Sequence, residues 1–168
     1  KMKPHIKTDY WMSIEDDVIC PPDIISKLLS TMENDKSVGQ VAARLMYRYP
    51  SARGYALAWK HLNVEKDPKE VIVKKEGISI PVSLDRKDKI YTYYARPKLY
   101  GVEEITSVTT GCTLLNMEAI NKLEFTPFDK GIIGFDIVLG FQLKDLNYKV
   151  LIDWGIDCKH MQPDGRIF

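Results

Sequence analysis

Residues 10–17 read Tyr10-Trp11-Met12-Ser13-Ile14-Glu15-Asp16-Asp17, an apolar run that ends in three acidic side chains. A short run rich in aromatic and β-branched residues predicts a buried strand. Three adjacent carboxylates repel one another unless a cation or water screens them. In open α/β sheets ligands bind outside the carboxyl ends of strands, and hard divalent cations prefer oxygen ligands. The stretch therefore predicts a site for a metal ion and phosphate oxygens, although an isolated acidic triplet is more often a solvated loop.

The sequence after the acidic residues predicts a helix and then a second strand. Pro22 and Asp23 suit the first turn of a helix, because proline fits its first position and carboxylates favour its positive end. The apolar side chains that follow share one helical stripe, namely Ile24, Ile25, Leu28, Leu29 and Met32. Residues 37–44 have strand character. This order predicts a βαβ unit, and hence an α/β fold with a Rossmann-like mixed sheet flanked by helices.

The C-terminal part of the chain predicts two more helices between strands. Residues 107–115 have strand character, and Asn116 suits the N-cap of a short helix. Asp136 caps or begins another helix, which we expect to stop at Asn147. The apolar side chains of that helix are Ile137, Val138, Phe141, Leu143 and Leu146. Residues 149–154 predict the last strand.

Residues 47–105 are strongly aromatic and interrupt this alternation. Within them, residues 71–80 predict two strands joined by a Lys-Glu-Gly turn. We expect a β-rich insertion in a single domain that spans residues 1–168, with most of its aromatic side chains in the core. The others would be free to stack on a sugar or another flat ligand.

Composition excludes several classes of protein. With 168 residues, 45% of them hydrophobic, and a net charge of +1, the chain can bury a core but offers no general attraction for nucleic acid. The basic clusters at residues 66–75 and 86–89 are mixed with acidic residues, so they predict a solvated face. Three widely spaced cysteines without a Cys-x-x-Cys pair predict reduced, buried thiols and a cytoplasmic protein. No apolar run is long enough to predict a membrane span.

Four segments in this order resemble the catalytic half of a GT-A type glycosyltransferase, in the family-2-like group that uses nucleotide-sugar donors. Residues 15–17, followed by two prolines and a helix, are similar to the DxD element of that family. Thr110-Gly111-Cys112 is similar to its acceptor-side glycine segment, and Gly134-Phe135-Asp136 to its base motif. Asn147-Tyr148-Lys149 and the later His160 resemble its final turn, strand and histidine. Together these segments cover nearly the whole chain.

The resemblance implies a metal-dependent donor site. Asp17 would be the principal ligand of Mn²⁺ or Mg²⁺, Glu15 would bind the metal or the ribose, and Asp16 would support either role. His160 would add a further metal contact, although a lone histidine near a C-terminus is more often structural. Two basic side chains would hold the diphosphate, Lys159 and Arg166, each of which taken alone is more often a solvated charge.

On the acceptor side, the resemblance makes Asp136 the general base, with Thr110, Gly111 and Phe135 beside the acceptor. A carboxylate there can take the proton of the hydroxyl that attacks the anomeric carbon, and such a displacement inverts the sugar. The alternative for Asp136 is a helix cap without a chemical role. The acceptor would be a glycan, protein or lipid.

The sequence departs from the family in two ways. The family places a βαβαβ nucleotide-binding segment before the DxD strand, and here only residues 1–8 precede it. We therefore expect a domain that is partial at its N-terminus, and the resemblance says little about the nucleobase. A Gln-x-x-Arg-Trp motif, which the processive synthases of this group carry, is missing after Asp136. The sequence thus favours transfer of one sugar at a time.

Two other functions compete with this interpretation. Phosphatases of the haloacid dehalogenase type also place carboxylates at a strand end, but their nucleophile is an aspartate where this chain has Glu15. A non-catalytic module derived from a transferase would instead bind a glycan or a partner through the aromatic insertion. Metal-dependent binding of a nucleoside diphosphate separates the enzyme from such a module.

Overall fold

A computed structural model of the protein describes residues 6–46, 55–62, 79–80, 91–123, 135–162 and 164–167. The described strands are β1 (Tyr10–Ile14), β2 (Val18–Ile19), β3 (Val38–Leu45), β4 (Ala58–Leu62), β5 (Ser79–Ile80), β6 (Tyr91–Tyr94), β7 (Val102–Ile105), β8 (Ser107–Val108), β9 (Cys112–Asn116) and β10 (Lys149–His160). The described helices are α1 (Ile24–Glu33), α2 (Met117–Lys122) and α3 (Phe135–Asp145). None of these helices is both long enough and apolar enough to cross a membrane.

The main sheet has six strands among the described residues, in the order β1-β9-β3-β10-β2, with β7 paired to β10. Only β3 and β10 are parallel neighbours in this described sheet, and the other pairs are antiparallel. The mixed α/β class predicted from the sequence is confirmed. Because β9 runs antiparallel between β1 and β3, those two strands are parallel to each other. The predicted βαβ unit thus has a later strand inserted between its two strands.

Helix α1 packs on one face of this sheet through side chains four residues apart. Ile24, Leu28 and Met32 are buried, because residues at this spacing lie one above another on a helix. The predicted stripe was too wide, since Ile25 is 60% exposed. The side chains that α1 covers belong to β3, β9 and β10 and include Val41, Leu114 and Ile156.

Helices α2 and α3 contribute to a second cluster of buried side chains, around Trp154. Asn116 caps α2 as predicted, because its side-chain oxygen accepts a hydrogen bond from the Glu118 amide at 2.9 Å. Asn147 stops α3 as predicted, with φ at 61°, a conformation that asparagine adopts more readily than most residues. Leu146, one of the apolar side chains of the predicted helix, is 38% exposed.

The described part of residues 47–105 forms most of a second sheet, in the order β5-β6-β4-β8. Strand β7 lies inside the same range but pairs with β10 in the main sheet. The insertion therefore does not stand wholly apart from the main sheet. The predicted Lys-Glu-Gly turn lies outside the described residues.

Strand β10 is much longer than residues 149–154 predict, because it continues to His160. Its pairing with β3 shifts register between Asp153 and Asp157, so the strand passes Gly155 without ending. Beyond that point alternate side chains, including Cys158 and His160, are again buried. His160 then pairs with Val18 of β2, immediately after the acidic turn.

Candidate metal centre and acceptor side

The acidic turn is held by backbone hydrogen bonds to two other parts of the main sheet. The amide of Glu15 donates to the carbonyl oxygen of Gly111 at 2.9 Å, just before β9. The amide of Met161 donates to the carbonyl oxygen of Asp17 at 2.8 Å, just after β10. The turn is closed by the amide of Val18, which donates to the carbonyl oxygen of Glu15 at 3.2 Å. These backbone contacts fix the acidic turn at the strand ends.

The structure brings together the three side chains predicted to hold a metal ion. One ligand atom from each of Glu15, Asp17 and His160 lies within 4.8 Å of the others. The Nε2 atom of His160 is 4.0 Å from Oε2 of Glu15. His160 is 2% exposed, whereas Asp17 is half-buried and Glu15 is exposed. The cluster therefore has a buried imidazole at its base and carboxylates facing solvent.

The ring of His160 is oriented by a backbone carbonyl. Its Nδ1 atom lies 2.8 Å from the carbonyl oxygen of Met46. A carbonyl only accepts hydrogen bonds, so Nδ1 is the donor of this contact, and Nε2 is the ring nitrogen that faces Glu15. Metal-ligating histidines are commonly fixed in this way. Two carboxylates and one imidazole nitrogen fit Mn²⁺, and the carboxylates fit Mg²⁺.

Asp136 forms the other half of the candidate site. It lies in the first turn of α3, after the first helical residue Phe135, so it begins the helix and does not cap it. The hydroxyl of Thr110 donates a hydrogen bond to Oδ1 of Asp136 at 2.7 Å. Burial raises the pKa of Asp136, although hydrogen bonds from Thr110 oppose this shift. A carboxylate with a raised pKa is a better proton acceptor than an exposed one.

Two consecutive residues join the halves of the site. Thr110 contacts Asp136, while a Cβ atom placed on Gly111 would lie 3.0 Å from Oε2 of Glu15. The predicted acceptor-side residues therefore lie between the candidate base and the acidic turn. Phe135, next to Asp136, is 41% exposed. Gly134, the first residue of the predicted base motif, lies outside the described residues.

Three further residues predicted for the donor site are exposed. Asp16 is exposed in the turn between the two clustered carboxylates. Lys159 is exposed, and it precedes His160 in a strand whose successive side chains point to opposite faces. Arg166 forms an ion pair with Asp164 at 2.7 Å, near the end of the described chain. Both basic side chains are thus exposed, and that of Arg166 is paired with a carboxylate.

One functional contact was not foreseen, the carbonyl oxygen of Met46. It directly follows β3, whose last residue Leu45 pairs with Cys158 in the parallel strand β10, and it lies 2.8 Å from Nδ1 of His160. A backbone group has no signature in the sequence, so only the register of the two strands reveals this contact.

The chain matches no family model, and no curated protein matches it. Among solved structures it is similar to the crystal structure of A197 from STIV, with a TM-score of 0.59 and 11% sequence identity. The match covers 99% of this chain and 69% of that one. At this level of identity the likeness shows a shared fold alone.

Proposed function

We propose that this chain is a metal-dependent glycosyltransferase of the GT-A type, which moves one sugar from a nucleotide-sugar donor to an acceptor hydroxyl. The observation that carries the proposal is the convergence of Glu15, Asp17 and His160, whose ligand atoms lie within 4.8 Å of one another. These groups come from the two ends of the chain, and the carbonyl of Met46 turns the imidazole nitrogen toward the carboxylates.

On the donor side, Asp17 and His160 would hold Mn²⁺ or Mg²⁺, with Glu15 as a further ligand or a partner of the ribose. Such an ion, when bound, neutralises negative charge on the diphosphate that leaves. Glu15 is exposed and Asp17 half-buried above the buried imidazole, so the approach from solvent is open to a charged ligand. In this proposal Lys159 and Arg166 would add contacts to the diphosphate.

On the acceptor side, Asp136 takes the proton of the attacking hydroxyl. Burial keeps its affinity for a proton higher than that of an exposed aspartate, and Thr110 holds one carboxylate oxygen at 2.7 Å. Attack from the face opposite the leaving diphosphate would invert the anomeric carbon, and the acceptor would be a glycan, protein or lipid.

The test is binding of a nucleoside diphosphate to the purified chain, by calorimetry, with and without Mn²⁺. We expect binding that requires the metal and that Asp17→Asn abolishes. Asp145→Asn is a matched control, because it makes the same change of charge at an exposed position in the last residue of α3. It should bind as the unchanged protein does.

Two results would contradict the proposal. Nucleotide binding that is equally strong without metal would remove the role of the cluster. Binding of a glycan that is indifferent to both Mn²⁺ and Asp17→Asn, with no nucleotide binding, would identify a non-catalytic module.

A further inference from the structure

The three cysteines of the chain meet at one point in the core. Cys20 follows β2, Cys112 begins β9 and Cys158 lies in β10. The Sγ atom of Cys112 is 3.4 Å from that of Cys20 and 3.3 Å from that of Cys158. All three sulfur atoms lie within 4.8 Å of one another, and none is in a disulfide. Their sequence separations match no metal-binding motif, so the cluster exists only in the folded chain.

The surroundings of the three thiols are apolar. Cys112 and Cys158 are completely buried, and Cys20 is half-buried. They pack in the cluster of side chains under α1, which includes Leu45, Leu114 and Ile156. A free cysteine packs as a small hydrophobic residue, so burial by itself indicates no ligand. The convergence of three sulfur atoms within 4.8 Å of one another, from three separate segments, is the feature that burial does not explain.

The geometry suits a metal ion. A thiolate sulfur lies about 2.3 Å from a bound zinc ion, so three such sulfurs around one ion are separated by at most about 4 Å in a planar arrangement. The observed contacts of 3.3 and 3.4 Å and the upper limit of 4.8 Å need only small side-chain rotations to reach this arrangement. Sulfur donors alone select soft ions, whereas carboxylates select hard ones.

We propose that Cys20, Cys112 and Cys158 form a three-thiolate site for a soft metal ion such as Cu⁺, distinct from the carboxylate and imidazole cluster. An ion enters the site past Cys20, because Cys20 is the half-buried member of the cluster. Loading breaks up to three S–H bonds and forms metal–sulfur bonds in their place, and the protons leave to solvent. No oxidant or reductant takes part, because the ion keeps its charge. The two clusters share β10, where Cys158 and His160 lie two residues apart on the same buried face.

The test is an anaerobic titration of the reduced chain with Cu⁺, and separately with Cd²⁺ as a spectroscopic probe. We expect one ion per chain, an ultraviolet band from sulfur-to-cadmium charge transfer and a higher melting temperature. X-ray absorption of the Cu⁺-loaded protein should show only sulfur neighbours. Cys20→Ser should weaken the binding of both ions by more than about tenfold. Loss of a residue that only hydrogen-bonds to a metal ligand already costs about tenfold or more, and Cys20 is itself a proposed ligand.

The control is Asp17→Asn, which should leave Cu⁺ and Cd²⁺ binding unchanged while it abolishes Mn²⁺-dependent nucleotide binding. This pairing separates failure of the thiol site from failure of the transferase proposal. Oxygen or nitrogen neighbours in the absorption spectrum of the unchanged protein would overturn the inference, even if Cys20→Ser failed to fold. So would the absence of a one-to-one complex, or equal binding by a folded Cys20→Ser variant.

Discussion

At the residue scale, the buried carboxyl of Asp136 has opposite effects on chemistry and on stability. Its pKa is raised above the ordinary aspartate value of about 3.9 because burial disfavours the charged form. A group with a raised folded pKa contributes stability below its unfolded pKa, and this contribution is lost as the pH rises through the folded pKa. At neutral pH the ionised carboxylate is therefore able to accept a proton but costs folding free energy.

We expect Asp136→Asn to lower the rate of sugar transfer by about 10²- to 10⁴-fold, the usual contribution of a general base. The same variant should melt at a higher temperature at pH 7, because the amide oxygen still accepts the hydrogen bond of Thr110 without a buried charge. In the unchanged protein the transfer rate should rise with pH as Asp136 ionises. Paired rate and melting measurements at several pH values check this, and transfer that survives in Asp136→Asn would eliminate the assigned base.

Gly111 is a second position where one added atom, a Cβ, would disturb the candidate site. An added Cβ would lie 2.9 Å from Leu45 Cδ2 and 3.0 Å from Glu15 Oε2, closer than such contacts normally come. Both neighbours are ends of flexible side chains, so Gly111→Ala should displace the Glu15 carboxylate while the chain still folds. We expect weaker Mn²⁺-dependent nucleotide binding and a loss of about 1 kcal/mol in the free energy of unfolding.

The matched control for that substitution is Gly155→Ala. Its added Cβ would meet only the Oδ1 atom of Asp153, at 3.2 Å, on an exposed stretch of β10. Calorimetry should show nucleotide binding unchanged in this control. Equal binding by both variants would mean that the position of Glu15 does not matter to the site.

At the scale of elements, helix α3 lies directly against strand β8. An added Cβ on Gly140 would overlap the backbone of Thr106 and Ser107, including a contact of 2.7 Å with Ser107 Cα. Backbone atoms of a strand cannot rotate away as a side chain can. The helix and the strand can therefore approach this closely only because Gly140 has no side chain. This approach helps to set the distance between Asp136 of the helix and Thr110, which follows the strand.

We expect Gly140→Ala to lower the free energy of unfolding by about 1–3 kcal/mol, the usual cost of overpacking. Alanine forms helices better than glycine by about 1 kcal/mol, so any net loss comes from the overlap. Chemical denaturation measures it, and transfer activity should fall as α3 moves away from Thr110. Lys144→Ala, at an exposed position of the same helix, should change neither quantity much. A Gly140→Ala variant as stable as the unchanged protein would show that the contact is not tight.

At the scale of the whole molecule, Glu103 links the two sheets. From β7 in the main sheet it accepts hydrogen bonds from Lys60 of β4 at 2.6 Å and from the indole of Trp154 in β10 at 2.8 Å. Lys98 adds an ion pair at 2.9 Å. Burial by itself would raise the pKa of Glu103, but the hydrogen bonds from these partners lower it below its ordinary range.

A lowered pKa gives stability that is present above the unfolded value, about 4.3 for glutamate, and lost as the pH falls through the folded value. We expect Glu103→Gln to lower the free energy of unfolding at pH 7 by about 1–3 kcal/mol, because the buried indole of Trp154 and two lysines lose a charged acceptor. The difference from the unchanged protein should shrink toward pH 3. Urea unfolding at both pH values measures it.

Glu118→Gln is the matched control for this charge change, because Glu118 and its ion-pair partner Lys122 are both exposed. It should leave the unfolding free energy nearly unchanged at either pH. A difference for Glu103→Gln that stays constant from pH 7 to pH 3 would show that its ionisation does not hold the sheets together.

Local features of the fold were predictable because they depend on neighbours in sequence. Helix α1, the cap at Asn116 and the stop at Asn147 follow from apolar spacing and backbone preference, which act within a few residues. The acidic turn was also visible, since three carboxylates after an apolar run stand out in any sequence. The width of each buried helical face was less well predicted, because the neighbouring strands decide which side chains are covered.

The sequence by itself determined the mixed α/β class, the helices and their ends, and the chemical character of the side chains at Glu15, Asp17, Asp136 and His160. The tertiary structure alone decided that β9 enters between β1 and β3, that β10 continues to His160, and that three distant cysteines converge. The reason is physical: propensity and periodicity act over one or two turns of chain, whereas strand order and register are set by which distant surfaces exclude water together.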